Sequence, residues 1–218
     1  MAESTESTAT KRTAPFTIGM VLFDRAEELD WVGPFEVFSM AREVADGKGR
    51  AAELRVVLIS HDGAVVRGAK GMRVEVDHSF SDAPALDVLL IPGGIGTRDE
   101  MKNEVMLDFL REKSSECDWV TSVCTGSAVL ERAGLTRGKR ITTHWAFVST
   151  LRESAGDATT VLEHVRYVRD GNLVTAAGVS AGIDMALWLT GEIFGVPHAR
   201  RTQRAMEYDP APPYTADV

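Results

Sequence analysis

Three short runs constrain the fold of this chain more than any other feature: FTIGMVLF at 16–23, DVLLI at 87–91 and WVTSV at 119–123. Each is largely apolar at both alternating sets of positions, is short for a helix, and stops abruptly. A strand of that kind must be covered on both faces, because either face left in water would expose aliphatic side chains. Between these runs the pattern turns helical: Pro34–Val44 behind a Gly33-Pro34 start, Glu104–Glu116 with Val105, Leu107, Phe109 and Leu110 as inward residues, and Ser127–Ala133. Further strands are expected over Leu54–Ser60 and Arg140–Thr143, and hairpins within 64–76 and 165–175, the latter turning at Asp170-Gly171-Asn172. Helices over Phe147–Glu153, Ser180–Phe194 and His198–Glu207 complete the pattern, with Ser180 as an N-cap and Asp184 at the positive end of its helix. The alternation predicts an α/β fold: a mostly parallel sheet with helices on both faces and right-handed crossovers.

Length and composition narrow the function. A chain of 218 residues that is 44% hydrophobic can bury one substantial core. No repeat or linker divides it, so 15–208 is expected to form a single domain, between a disordered Ser/Thr-rich tail at 1–14 and a proline-rich tail at 209–218. A net charge of -8 gives no basic footprint, so nucleic acid is not an expected partner. No apolar run approaches the roughly 20 residues that span a bilayer, so no membrane partner is expected either. The first residues lack the apolar segment of an export signal, which makes the cytoplasm the default address. The five histidines show no metal-ligand spacing, and neither GxGxxG nor GK[ST] occurs, so no metal, dinucleotide or P-loop site is expected.

The chemistry points to one thiol. Cys117 and Cys124 would lie about 20 Å apart along a strand, far beyond the reach of about 7 Å that a disulfide allows. Cys117 then reads as a small buried hydrophobe. Cys124, in S-V-C-T-G, stands where a strand must turn sharply into a helix, with Ser122 and Gly126 as the small neighbours that a nucleophile elbow requires. The helix N-terminus beside it is expected to favour the thiolate. Asp30 can reach the same rim, where carboxyl and thiol would share a proton. Gly93 and Gly94 let backbone approach a bound group, and their N–H groups with that of Thr125 could form an oxyanion-type pocket. His144, at the end of KRITT, is the one histidine placed at that rim, and Trp31, Trp145 and Phe147 are candidate pocket walls.

The segments D-V-L-L-I-P-G-G, V-T-S-V-C-T-G-S, G-K-R-I-T-T-H-W, V-x-D-G-N-L-V-T-A-A-G and G-V-S-A-G-I-D, in that order, resemble the ThiJ/PfpI superfamily, which is related to the class I glutamine amidotransferases. Within it, E-L-D-W-V-G-P, C-T-G-S and M-E-Y-D-P-A-P-P are similar to the isocyanide (isonitrile) hydratases, which convert an isocyanide into an N-substituted formamide. The resemblance covers roughly 16–207. It implies a flavodoxin-like three-layer α/β/α sandwich, a homodimer, no cofactor, a small-molecule substrate, a nucleophile at Cys124, an acid at Asp30, and Thr125 lining the same pocket. The protease-like branch carries histidine where this chain has Thr125, so proteolysis is not expected.

Two other readings stay open. One is a glyoxalase- or deglycase-like enzyme of reactive carbonyls, or a redox stress protein whose cysteine is oxidised to sulfinate. The other is a ligand-binding sensor similar to the domains that precede helix-turn-helix modules in AraC-type regulators, which share S-A-G-I-D. Here about ten residues follow the last predicted helix, too few for such a module.

Overall fold

Which strand residues face which way decides where the two cores form. The structure is a computed structural model that describes residues 15–210; the expected N-terminal tail, and the C-terminal one beyond Pro210, lie outside the described residues. In chain order the elements are β1 (Thr17–Val21), α1 (Glu28–Glu43), β2 (Arg55–Ser60), β3 (Val66–Arg67), β4 (Arg73–Val74), β5 (His78–Ser79), β6 (Val88–Ile91), α2 (Thr97–Glu100), α3 (Glu104–Ser114) and β7 (Trp119–Val123). They continue with α4 (Gly126–Arg132), β8 (Arg140–Thr142), α5 (Val148–Ala155), β9 (Thr160–Leu162), β10 (Tyr167–Asp170), β11 (Leu173–Ala176), α6 (Ala181–Phe194) and α7 (Val196–Ala205).

Seven strands form the main sheet in the order β10-β11-β7-β6-β1-β2-β5, all neighbours parallel except the β10-β11 hairpin at one edge. The period of two then sorts the side chains. Ile18, Met20, Val88 and Leu90 join Phe38, Ala41, Met185 and Leu189 in one core under α1 and α6. Val21, Leu89 and Ile91 join Leu107, Leu110, Val129 and Leu151 in the other, under α3, α4 and α5. Each such aliphatic side chain, fully removed from water, contributes roughly 1.5–3 kcal/mol before the entropy of ordering is subtracted. The result is a three-layer α/β/α sandwich, as the alternation predicts.

Four local expectations need correction. The first helix starts at Glu28, not Pro34. The Gly33-Pro34 pair, read as a start signal, is a packing surface: a Cβ on Gly33 would meet Ile183 Cγ1 at 2.8 Å, so its absence lets α1 lie close against α6. Glu28 and Asp30 occupy the first turn, where the helix dipole favours acids. In α3, Val105 is 52% exposed and Met106 takes its inward place beside Leu107, Phe109 and Leu110. Ser180 stands at the N-cap of α6 without capping it; its hydroxyl accepts from the Arg166 guanidinium instead, at 3.2 Å. The strand at 140–142 forms, but it pairs with β9 outside the main sheet.

Strand order places the site. From β1 the chain crosses through α1 to β2 on one side, whereas β6 lies on the other side with β7 and β11 beyond it. The loops leaving β1 and β6 therefore diverge, and the crevice at such a switch point is where open α/β sheets bind ligands. Asp30 follows β1, Gly93 follows β6 and Cys124 follows β7.

Candidate active site

Cys124 is the residue at which β7 becomes α4. Its N–H still completes the sheet, donating to Ala176 O at 3.0 Å, while its carbonyl accepts from the hydroxyls of Ser127 at 3.1 Å and Thr143 at 3.0 Å. Between those anchors the backbone is forced to φ +57°, a left-handed conformation that costs a non-glycine residue about 1–2 kcal/mol. Small neighbours make the turn possible. A Cβ on Gly126 would lie 2.3 Å from Ile91 O, and one on Gly93 would lie 2.5 Å from Thr125 N and 2.7 Å from Cys124 Cβ. This is the expected elbow. Both cysteines are free and buried.

Asp30 has no exposed surface. Its Oδ2 accepts the Gly93 N–H at 2.8 Å, its Oδ1 accepts the Val179 N–H at 3.0 Å, and it shares a hydrogen bond with the Cys124 side chain. Val179 holds that donor in place at φ +43°, a strained angle for a β-branched residue. Burial, reinforced by the charge of Glu27, pushes Asp30 up to about 7 against the pull of those three hydrogen bonds. Burial and the Asp30 charge push the Cys124 thiol up to about 12, while the Thr125 N–H and hydroxyl act the other way.

Here the expectation of a resting thiolate fails. The Thr125 donors at the start of α4 do reach the sulfur, but burial and the neighbouring carboxyl outweigh them. What survives is the expectation of a shared proton: between about 7 and about 12 the pair carries one.

The glycine loop differs in a second way. Gly93 spends its N–H on Asp30 and its carbonyl on the Glu27 N–H at 2.8 Å; Gly94, at φ +117°, gives its N–H to Thr125 Oγ1 at 3.0 Å. Neither N–H is left for an oxyanion. The loop instead positions the acid and Thr125, whose hydroxyl also lies 3.1 Å from that of Thr97.

A cleft of ≈ 210 Å³ opens over the sulfur, lined by Cys124, Thr125, Gly94, His144, Phe147 and Val179, with Glu27, Ile95, Arg98 and Ala146 completing the wall. Hollows of ≈ 390 and ≈ 480 Å³ lie elsewhere, and neither contains the thiol or the acid. His144 is a wall residue: Nδ1 accepts the Ala146 N–H at 3.3 Å, and its ring fills the space a Gly178 side chain would need. Trp145 is not: it is 81% exposed and borders the ≈ 390 Å³ hollow, because the short turn it begins points it outward. Trp31, on α1, is buried in the core, whereas Phe147 does line the cleft. Sequence reasoning passed over Arg98 and Val179, although the quoted G-V-S-A-G segment contains the latter. Among the described residues no cluster of His, Cys, Asp and Glu could hold a metal ion, and no helix is long and apolar enough to cross a membrane.

A strained cysteine at the carboxyl end of a central parallel strand, coupled to a buried carboxyl from the neighbouring crossover, defines a cysteine-centred α/β/α sandwich. The chain belongs to the DJ-1/PfpI family, whose profile matches residues 17–191. It is 42% identical over 197 residues to the isonitrile hydratase of Pseudomonas putida, covering 90% of this chain and 80% of that one. A ThiJ/PfpI family protein from Pseudomonas syringae superposes with a TM-score of 0.83 at 27% identity, covering 100% of this chain and 86% of that one. The HTH-type transcriptional regulator GbdR of Pseudomonas aeruginosa is 29% identical over 181 residues, 83% of this chain but 47% of the regulator, so that likeness concerns about half of that protein.

Proposed function

We propose that this protein is an isonitrile hydratase, a lyase that adds water to an isocyanide with Cys124 as nucleophile and Asp30 as general acid and base. The observation that carries the reading is the buried Cys124–Asp30 pair at the elbow, with the Asp30 carboxylate held against the thiol by the N–H groups of Gly93 and Val179. Extensive identity to a hydratase supports the substrate class.

The chemistry needs what such a pair supplies. Ionised Asp30 takes the thiol proton as sulfur bonds to the terminal isocyanide carbon, and returns it to that carbon, whose electron pair would otherwise carry the charge. The product is a thioimidate, R–N=CH–S–Cys124. Water then adds across C=N, with Asp30 accepting a water proton and the nitrogen gaining one. The tetrahedral adduct expels sulfur, releasing R–NH–CHO, and the thiol recovers its proton. Thr125, with N–H and hydroxyl on the sulfur, stabilises it when it carries charge.

The sign of the pH dependence follows. The working form of the pair has Asp30 ionised and one proton remaining, so it grows in as pH rises through about 7 and persists towards about 12. Formamide formation from a simple alkyl isocyanide should therefore rise about tenfold per pH unit in kcat/KM below 7 and level off above it. A rate that falls between pH 6 and 8 contradicts these roles. If no formamide appears at any pH while Cys124 still reacts with a thiol reagent, the hydratase reading gives way to carbonyl or redox chemistry at the same thiol.

A further inference from the structure

Arg98, second in α2, borders the Cys124 cleft beside Phe147 and Val179. Its Nη1 donates to Gly94 O at 3.1 Å and to Thr97 Oγ1 at 3.0 Å, which uses both hydrogens of that nitrogen inside the protein. The flat face of the guanidinium lies on Phe147, with Cζ 4.7 Å from the ring centroid. The group is thus fixed by its tip and by its face. Its other donors, on Nε and Nη2, have no acceptor among the described residues, and no carboxylate of those residues pairs with it.

Nearby charges are already matched: Asp99 pairs with Arg25, and Glu27, the acid of the same cleft, pairs with Lys70. Among the described residues, Arg98 is the charge at this cleft without a counterion. Nε and Nη2 form the side-on fork whose spacing suits the two oxygens of a carboxylate. A cleft of ≈ 210 Å³ is also smaller than the roughly 300–1,000 Å³ of sites for drug-sized ligands, so the molecule it takes is small.

We propose that Arg98 is a specificity residue that selects substrates carrying a carboxylate. With the isonitrile reading, on which the identity of the reacting group rests, the substrate class is an isocyano carboxylate: isocyanide carbon at Cys124, carboxylate on the Arg98 fork. The preference for an anion does not itself depend on that reading.

Two paired comparisons separate the claims. In the first, kcat/KM for an isocyanoalkanoate is measured against its methyl ester. Wild type should prefer the acid by roughly tenfold, the effect of a charge-assisted hydrogen-bonded pair at a half-open site. Arg98→Gln should lose that preference, and Arg98→Lys, which keeps the charge but not the fork, should retain only part of it.

The second needs no isocyanide. Cys124 is alkylated with iodoacetate or with iodoacetamide, sulfur bonding to the methylene carbon as iodide leaves, and modification is followed on the Cys124 peptide. The iodoacetate-to-iodoacetamide rate ratio should fall roughly tenfold in Arg98→Gln and far less in Lys70→Gln, which removes a neighbouring positive charge and leaves the fork. A ratio that Arg98→Gln does not change, or equal turnover of acid and ester by wild type, overturns the proposal. A ratio that falls while no isocyanide is consumed keeps the carboxylate selection and removes the isocyanide reading.

Discussion

Cys124→Ala should lower formamide formation by at least about 10⁴-fold, because removing a nucleophile leaves only binding and residual electrostatics. Alanine keeps the Cβ and deletes one sulfur atom, so the elbow, its hydrogen bonds to Ala176, Ser127 and Thr143, and the fold should persist, as an unchanged circular dichroism spectrum would show. Asp30→Asn should cost about 10²–10⁴-fold by removing the group that moves the proton. The two losses should not add: the double variant should be hardly slower than Cys124→Ala, since both side chains act in one proton-sharing unit. Additive losses would mean that Asp30 serves some separate step.

Gly93→Ala should damage both activity and stability. Its Cβ would sit 2.5 Å from Thr125 N and 2.7 Å from Cys124 Cβ, and a backbone atom cannot swing aside as a flexible side-chain end can. The β6 loop and the elbow must separate, which withdraws the Gly93 N–H from Asp30 and the Gly94 N–H from Thr125 together. We expect at least about 100-fold loss of kcat/KM and about 2–3 kcal/mol loss of stability in urea unfolding, of the size seen for overpacking a buried site. Near-native kinetics in a folded Gly93→Ala protein would show that the loop does not position the acid.

The sequence carried the layout because the layout depends on short-range pattern. DVLLI and WVTSV read as buried strands, the turn of the β10-β11 hairpin was legible in Asp-Gly-Asn, and the meeting of Cys124 with Asp30 followed from placing both at strand ends. What it did not carry depends on where loops go after they leave the sheet. Whether the Gly93 N–H faces an open pocket or a carboxylate is set by the path of α1, and that path was hidden by reading Gly33-Pro34 as a helix start. The protonation of Cys124 was misjudged for a related reason. The helix terminus beside it is visible in the sequence, whereas the depth of burial and the approach of Asp30, which outweigh it, are not. Trp145 shows the same limit: its neighbours His144 and Ala146 border the cleft while Trp145 points outward, and composition cannot say which residues of a turn do so.

The central claim is that an isocyanide carbon becomes bonded to the Cys124 sulfur. The most direct test is millisecond acid quenching of wild-type turnover of a simple alkyl isocyanide, followed by mass mapping of the peptides that contain Cys124 and Cys117. The account predicts that the Cys124 peptide gains the mass of one whole isocyanide molecule before the steady state is reached, and that the Cys117 peptide stays unmodified. Formamide released with Cys124 unmodified at every time point, or an adduct on another residue, would contradict it.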